Sequence, residues 1–185
     1  MAKGKLFVIS GASGVGKSTV LSKVMANRPD LRFSVSATTR KPRPGEIDGE
    51  SYYFVTKDMF QDMIEKDAFL EYDAHMENYY GTPKAQLEEK LQNSCVILDI
   101  EPNGAFNVRQ KRADAVLIFI APPSLQELES RLRGRGDTSE DQIRVRQARV
   151  AWEMEQSKQY DYVVVNDQVD TCVEKILQII AQVAD

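Results

Sequence analysis

An α/β fold, with a parallel sheet covered by helices on both faces, is what the sequence predicts, and three observations carry that prediction. Apolar runs of strand length at residues 5–9, 94–99, 115–120 and 162–166 alternate with segments of helical pattern, the arrangement that gives a parallel sheet. Three of the helical segments open on capping boxes, Ser124-x-x-Glu127, Ser139-x-x-Gln142 and Thr171-x-x-Glu174, in which the first and fourth residues satisfy each other's backbone N–H groups. The first apolar run feeds straight into Gly11-x-x-x-x-Gly16-Lys17-Ser18, behind which Val20, Leu21 and Val24 fall at helical spacing. Strand, glycine-rich turn and helix in that order make a phosphate-binding loop. Glycines reach φ > 0, so successive N–H groups can turn inward around a phosphate, and the dipole of the following helix favours the same anion. Lys17 would reach the terminal phosphates and the Ser18 hydroxyl would sit on the Mg²⁺ that travels with them.

The remaining elements follow in order. Residues 31–36 alternate apolar and polar and read as a short strand, after which residues 37–49, with two prolines, two glycines and a cationic cluster, read as a polar loop. Thr56 is placed to cap a helix with an apolar stripe of Met59, Phe60, Met63 and Ile64, and residues 68–72 read as the next strand. Residues 79–83 read as a turn, residues 84–92 as a helix carrying Leu87 and Leu91, and residues 94–99 as a buried strand ending in Asp99. A short helix is expected over 105–110, a buried strand over 115–120 stopped by Pro122-Pro123, and helices from Ser124 to about Arg133 and from Ser139 to about Gln159. Residues 162–166 read as another buried strand, and the last helix turns Val173, Ile176, Leu177, Ile180 and Val183 inward.

Composition narrows the function. The chain has 185 residues, 42% hydrophobic and 28% charged, enough for one well-buried domain with an inserted lobe. A net charge of −4 argues against a general nucleic-acid-binding surface, so a small anionic partner is expected. Cys95 and Cys172 lack metal-ligand spacing and His75 stands alone, so neither a zinc site nor a disulfide framework is expected, and both cysteines read as buried thiols. With no signal-type or membrane-spanning apolar segment, a cytoplasmic protein that binds no membrane is expected. Whether it is a monomer or a homo-oligomer is left open.

Three constellations suggest chemistry. Asp99 ends an apolar strand as the phosphate loop does, so a parallel sheet would bring both to one edge, where an acid that organises Mg²⁺ belongs. Arg40 and Arg43 lie in a loop stiffened by Pro42 and Pro44, which suits a second phosphate; read alone, such a cluster also fits a solvated surface. Arg131, Arg133, Arg135, Arg144, Arg146 and Arg149 bracket a Gly134–Gly136 hinge, the composition of a lid whose arginines arrive on closure. Arg133 and Arg149 read as surface decoration. Tyr52, Tyr53, Tyr72, Tyr79 and Tyr80 cluster in the inserted segment, able to pack their rings while their hydroxyls bond a ligand.

These residues carry a resemblance. Beyond the phosphate loop, Phe33-Ser-Val-Ser-Ala-Thr-Thr-Arg-Lys-Pro-Arg-Pro-Gly-Glu46, Asp48-Gly-x-x-Tyr52-x-Phe54, Phe69-x-Glu71, Asn78-Tyr-Tyr-Gly-Thr82, Ile97-Leu-Asp-Ile100, Phe119-Ile-Ala-Pro-Pro-Ser124, Arg131-Leu-x-Gly-Arg-Gly136 and Val165-Asn-Asp167 all resemble signatures of the guanylate kinase family, in its order and over almost the whole chain. The resemblance implies a P-loop kinase core with an inserted small GMP-binding lobe and a short lid. On this chain the core would cover residues 1–34 and 93–185, the lobe about 35–92 and the lid about 131–149. It implies ATP and GMP as substrates, ADP and GDP as products, and Mg²⁺ carried with ATP. The ATP phosphates would rest on Gly11, Ala12, Ser13, Gly14, Val15, Gly16, Lys17, Ser18 and Thr19. Arg131, Arg135 and Arg146 would contact ATP phosphates or the transferring group, and Asn166 the adenosine end. The GMP phosphate would meet Arg40, Arg43, Tyr52 and Tyr80, and the guanine Ser36, Glu71 and Thr82. Asp99 would stand by the metal and the GMP, with Ser18 on the metal; Lys17, Arg40, Arg135 and Arg146 would carry catalysis.

The chain departs from the family pattern twice. It reads Asp99-Ile-Glu-Pro-Asn-Gly104 where the family usually has Asp-Ile-Asp-x-Gln-Gly, and Glu77 stands where a glycine is usual. Activity is expected to survive both. A kinase for another small phosphate acceptor is the nearest alternative. A protein-binding module that has lost catalysis would have no use for Lys17, Ser18, Arg40, Arg43 and the lid arginines, and a GTPase switch would need a guanine-reading Asn-Lys-x-Asp run that is missing.

Overall fold

The computed structural model describes residues 4–75, 77–124 and 140–184. The first part of the chain gives β1 (Leu6–Gly11), α1 (Lys17–Asn27), β2 (Arg32–Phe33), β3 (Ala37–Thr38), β4 (Tyr53–Phe54), α2 (Lys57–Glu65), β5 (Phe69–His75), β6 (Asn78–Pro83) and α3 (Lys84–Leu91). It continues with β7 (Val96–Asp99), α4 (Pro102–Lys111), β8 (Val116–Ala121), α5 (Glu140–Gln156), β9 (Tyr162–Val165) and α6 (Val169–Ala184).

One sheet is wholly parallel, in the order β2-β7-β1-β8-β9. β1 lies at its centre and is buried along its whole length, as a Leu-Phe-Val-Ile run with neighbours on both sides and helices on both faces requires. Its register sets Ile9 opposite Asp99 and Gly11 opposite Ile120. The phosphate loop and Asp99 therefore leave the sheet from the same edge, as expected. Phe7, Ile9, Leu98, Leu117 and Ile176 are fully buried, each worth about 1.5–3 kcal/mol relative to exposure. α1 and α6 pack together, and Val20, Leu21 and Val24 supply the buried face of α1.

The inserted segment makes a second sheet, ordered β4-β3-β6-β5, over a small core of Ala37, Phe60 and Phe69. The Phe60 and Phe69 rings stack at 4.5 Å. Thr56 caps α2 by accepting from the Met59 N–H at 3.1 Å. α4 packs against β5, joining this segment to the parallel sheet. Among the described residues no helix is long and apolar enough to cross a membrane.

Several local expectations are corrected. Residues 79–83 belong to β6, not a turn: a Cβ at Gly81 would lie 2.9 Å from Phe69 Cδ1 and 3.1 Å from Phe60 Cζ, so this glycine serves close packing within a strand. The strand expected over 31–36 is cut to Arg32–Phe33 by the extent of its pairing with β7, and Ala37–Thr38, assigned above to a loop, pairs into the other sheet. Met59 points outward, 54% exposed. α4 begins at Pro102, well before Ala105, because a proline suits the first helical turn, whose N–H has no intrahelical partner. α6 begins at Val169, so Thr171 lies inside the helix and does not cap it. β9 is an edge strand with Val163 and Val165 largely exposed, and Cys95 is only half-buried. The helix expected from Ser124 and residues 131–139 of the expected lid fall outside the described residues.

Candidate active site

The site is built at the carboxyl edge of the parallel sheet. There Gly14 and Gly16 take φ of 83° and 90°, the left-handed region in which a side chain would be strained. Gly16 precedes α1, and no side chain caps that helix, which leaves the N–H groups of its first turn for an anion. Two buried side chains hold the loop from behind. Asn166, just past β9 and 2% exposed, donates its Nδ2 to the Val15 carbonyl at 2.7 Å. Glu153 of α5, fully buried, accepts the Ser13 N–H at 2.8 Å. In front of the loop Lys17 Nζ is ion-paired with Asp99 Oδ1, while Ser18 and Thr19 are exposed on the first turn of α1.

A cleft of about 560 Å³ opens from this edge toward the second sheet; Lys17, Asp99, Ser36, Tyr52, Tyr80 and Glu71 line it. Expected members of both substrate sites thus share one cavity. At its far end Glu71 is 4% exposed and accepts a hydrogen bond from Thr82 Oγ1 at 2.5 Å. Burial pushes the Glu71 carboxyl above its ordinary range, and the Thr82 hydroxyl only partly opposes that shift. A Cβ on Gly104 of α4 would stand 2.8 Å from the other carboxylate oxygen, Oε2. The glycine lets α4 pass directly over the carboxylate.

Arg40 sits behind the cleft wall. Its guanidinium grips Glu46 with two hydrogen bonds, Nη1 to Oε2 at 2.9 Å and Nη2 to Oε1 at 2.7 Å, and lies 5.4 Å over the Tyr52 ring. This fork, with the Arg43 backbone N–H at 2.7 Å, holds the Glu46 carboxyl below its ordinary range. Tyr52 and Tyr80 meet edge to face at 6.1 Å. The Arg43 side chain is exposed and does not line the cleft. Arg131 and Arg135 lie outside the described residues, and of Arg146 only its place in α5 is described.

Three residues were missed by sequence reasoning. Arg149, read above as surface decoration, lines the cleft, donating Nε to Glu153 Oε1 and Nη2 to Glu101 Oε2, each at 2.9 Å. The signal for the Arg149–Glu153 pair was its four-residue spacing on one helix. Glu153 gave no sign that it reaches the phosphate loop, and Gly104 none that it lies on Glu71, because both contacts join distant parts of the chain.

Comparison with known proteins agrees with this architecture. A family model described as guanylate kinase matches residues 3–183. The guanylate kinase of Desulfitobacterium hafniense (strain Y51) is 46% identical over 178 residues, 96% of this chain and 89% of the relative. That of Escherichia coli (strain K12) is 46% identical over 183 residues, 97% of this chain and 88% of the relative. The crystal structure of guanylate kinase from Anaplasma phagocytophilum superposes with a TM-score of 0.80 at 31% identity, covering 99% of this chain and 87% of that one. With a family model spanning nearly every residue, and close relatives of matching length and fold, the chain belongs to the guanylate kinase family.

Proposed function

We infer that this chain catalyses transfer of the γ-phosphoryl group of ATP to GMP, releasing ADP and GDP. The observation that carries this reading is one cleft lined both by Lys17 of the phosphate loop and by the buried acceptor Glu71. An oxygen of the GMP phosphate attacks the γ-phosphorus, the bond to the β–γ bridging oxygen breaks, and ADP leaves. Charge in such a transfer spreads over the transferring oxygens, so the protein contributes position and electrostatic stabilisation.

In this reading residues 11–19 hold the ATP phosphates through the N–H groups of Gly14, Gly16, Lys17, Ser18 and Thr19 and the Lys17 ammonium, those of Ala12, Ser13 and Val15 being bonded within the protein. Lys17 exchanges its Asp99 partner for phosphate oxygen, which frees the Asp99 carboxylate. Tyr52 and Tyr80, which line the cleft, hold the GMP phosphate together with Arg40, released from Glu46, and Arg43, brought in from the surface; Arg131, Arg135 and Arg146 close over the reacting groups. Residues 35–92 act as the GMP lobe and about 131–149 as the lid. Closure excludes water, which would otherwise accept the phosphoryl group. The Ser18 hydroxyl and the freed Asp99 carboxylate are hard oxygen donors of the kind Mg²⁺ takes beside substrate phosphates; they would hold it, and it would neutralise charge on the phosphates. We assign the activity to the cytoplasm.

Guanine is read by matching donors to acceptors. Its N1–H and N2 amino group lie side by side, and an ionised carboxylate offers two acceptor oxygens to both. Adenine presents a lone pair at N1 and would leave Glu71 unpartnered in a buried site, a mismatch worth roughly 10⁴-fold. Ser36 and Thr82 border the pocket at guanine O6, with Ser36 as the donor, since the one Thr82 O–H is given to Glu71. A coupled assay of ADP release against a panel of nucleoside monophosphates tests this. GMP is expected to be preferred by the wild type, and Glu71→Gln is expected to raise KM for GMP severely and to narrow the preference over AMP. Turnover of AMP equal to GMP by the wild type, or unchanged GMP kinetics in Glu71→Gln, would refute it.

A further inference from the structure

Glu153 poses a problem that the reading above does not answer. It is a fully buried carboxylate bonded to the backbone of a loop shaped to accept anions. A bare negative charge there would repel the phosphates the loop receives, and an uncompensated buried charge is costly on its own account. The Ser13 N–H needs only a neutral acceptor, which a glutamine would supply. What the carboxylate adds is its second oxygen, Oε1, which takes the Nε of Arg149 at 2.9 Å. Arg149 then reaches Glu101 Oε2 at 2.9 Å, on the segment that follows Asp99. The guanidinium is only about a third exposed and faces the cleft.

We propose that Glu153 is a positioning residue for the phosphate loop and that Arg149 is its counter-charge, allowing a carboxylate to brace the loop without repelling ATP. Three segments are tied in one chain of contacts: the loop through Ser13, α5 through Arg149 and Glu153, and the start of α4 through Glu101. The planar guanidinium suits this task because its fork spans both carboxylates at once. Glu101 thereby gains a role at the position where the chain departs from the family pattern: it is an anchor for Arg149.

The inference rests on the loop being the ATP site, and calorimetric titration of the wild type with ATP tests that separately. Arg149→Met keeps an unbranched stem and removes the charge, so it is expected to weaken ATP binding at least tenfold while GMP affinity stays within about twofold. Removing the carboxylate's charge in that background, as Arg149→Met/Glu153→Gln, is expected to restore ATP affinity to within about threefold of wild type. A purely structural role would not give that rescue. Arg149→Lys, which keeps a charge, is expected to retain ATP affinity to within about threefold, and it carries the test should Arg149→Met not fold. ATP affinity within twofold of wild type in Arg149→Met, no recovery in the double variant, or a tenfold loss in Arg149→Lys would each overturn the proposal. Absence of ATP binding by the wild type would remove the site itself.

Discussion

Replacing Gly104 by alanine separates stability from substrate recognition. The new Cβ would stand 2.8 Å from Glu71 Oε2 and 3.2 Å from Ile100 Cδ1, where ordinary contact begins at 3.4 Å. The carboxylate must therefore recede by about 0.6 Å, and it has little room: it is 4% exposed and tied to Thr82. A guanine hydrogen bond of about 2.8 Å would lengthen to about 3.4 Å, beyond the range of a good one. Loss of one bond to a charged group costs about 1.5–3 kcal/mol, which is a rise of roughly 10- to 100-fold in KM for GMP. The backbone pulls the other way. Gly104 lies in α4 and has no positive φ, so alanine gains up to about 1 kcal/mol of helix propensity against a clash of similar size, and Tm should move by only a few degrees. Steady-state kinetics with each substrate varied, beside a thermal melt, reads both effects. KM for GMP within twofold of wild type, in a variant that folds, would refute the placement of Glu71 against the guanine.

Two further outcomes are expected. Because burial raises the Glu71 pKa above its ordinary 4.5, the unliganded protein is stabilised with this group protonated, and that contribution is lost as pH rises through the raised native value. GMP recognition needs the ionised form, so kcat/KM for GMP should climb over the same acid limb, and a pH profile of Glu71→Gln should lack that rise. Arg40→Lys should raise KM for GMP about tenfold or more, since a point charge cannot reproduce the two-bonded grip seen on Glu46; unchanged kinetics would make Arg40 a surface residue.

What could be read from the sequence was what local pattern encodes. The strand–loop–helix at Leu6–Gly11 and Lys17–Asn27, the Thr56 cap and the run ending in Asp99 each rest on neighbours in the chain, and each is found in the fold. Tyr79–Pro83 misled because a glycine in a short polar-aromatic stretch looks like a turn, whereas Gly81 is small to make room for two phenylalanine rings from other elements. Thr171 misled because a capping-box spelling can occur inside a helix that has already begun. The candidate site divides in the same way. Lys17, Asp99 and Glu71 were reached from motif and resemblance, but Arg149 was set aside because nothing local separates an arginine facing solvent from one facing a cleft.

The double support of the phosphate loop changes when its ordering cost falls. Asn166 fixes the Val15 carbonyl and Glu153 fixes the Ser13 N–H through bonds made within the protein itself, so the loop's conformational entropy is surrendered during folding. Immobilising a backbone residue costs about 1–2 kcal/mol. A loop that had to gather itself around each incoming phosphate would lose that amount at every encounter, weakening affinity and slowing capture. Here the protein's own side chains set the mould, and the Lys17–Asp99 pair is the contact an arriving phosphate has to displace.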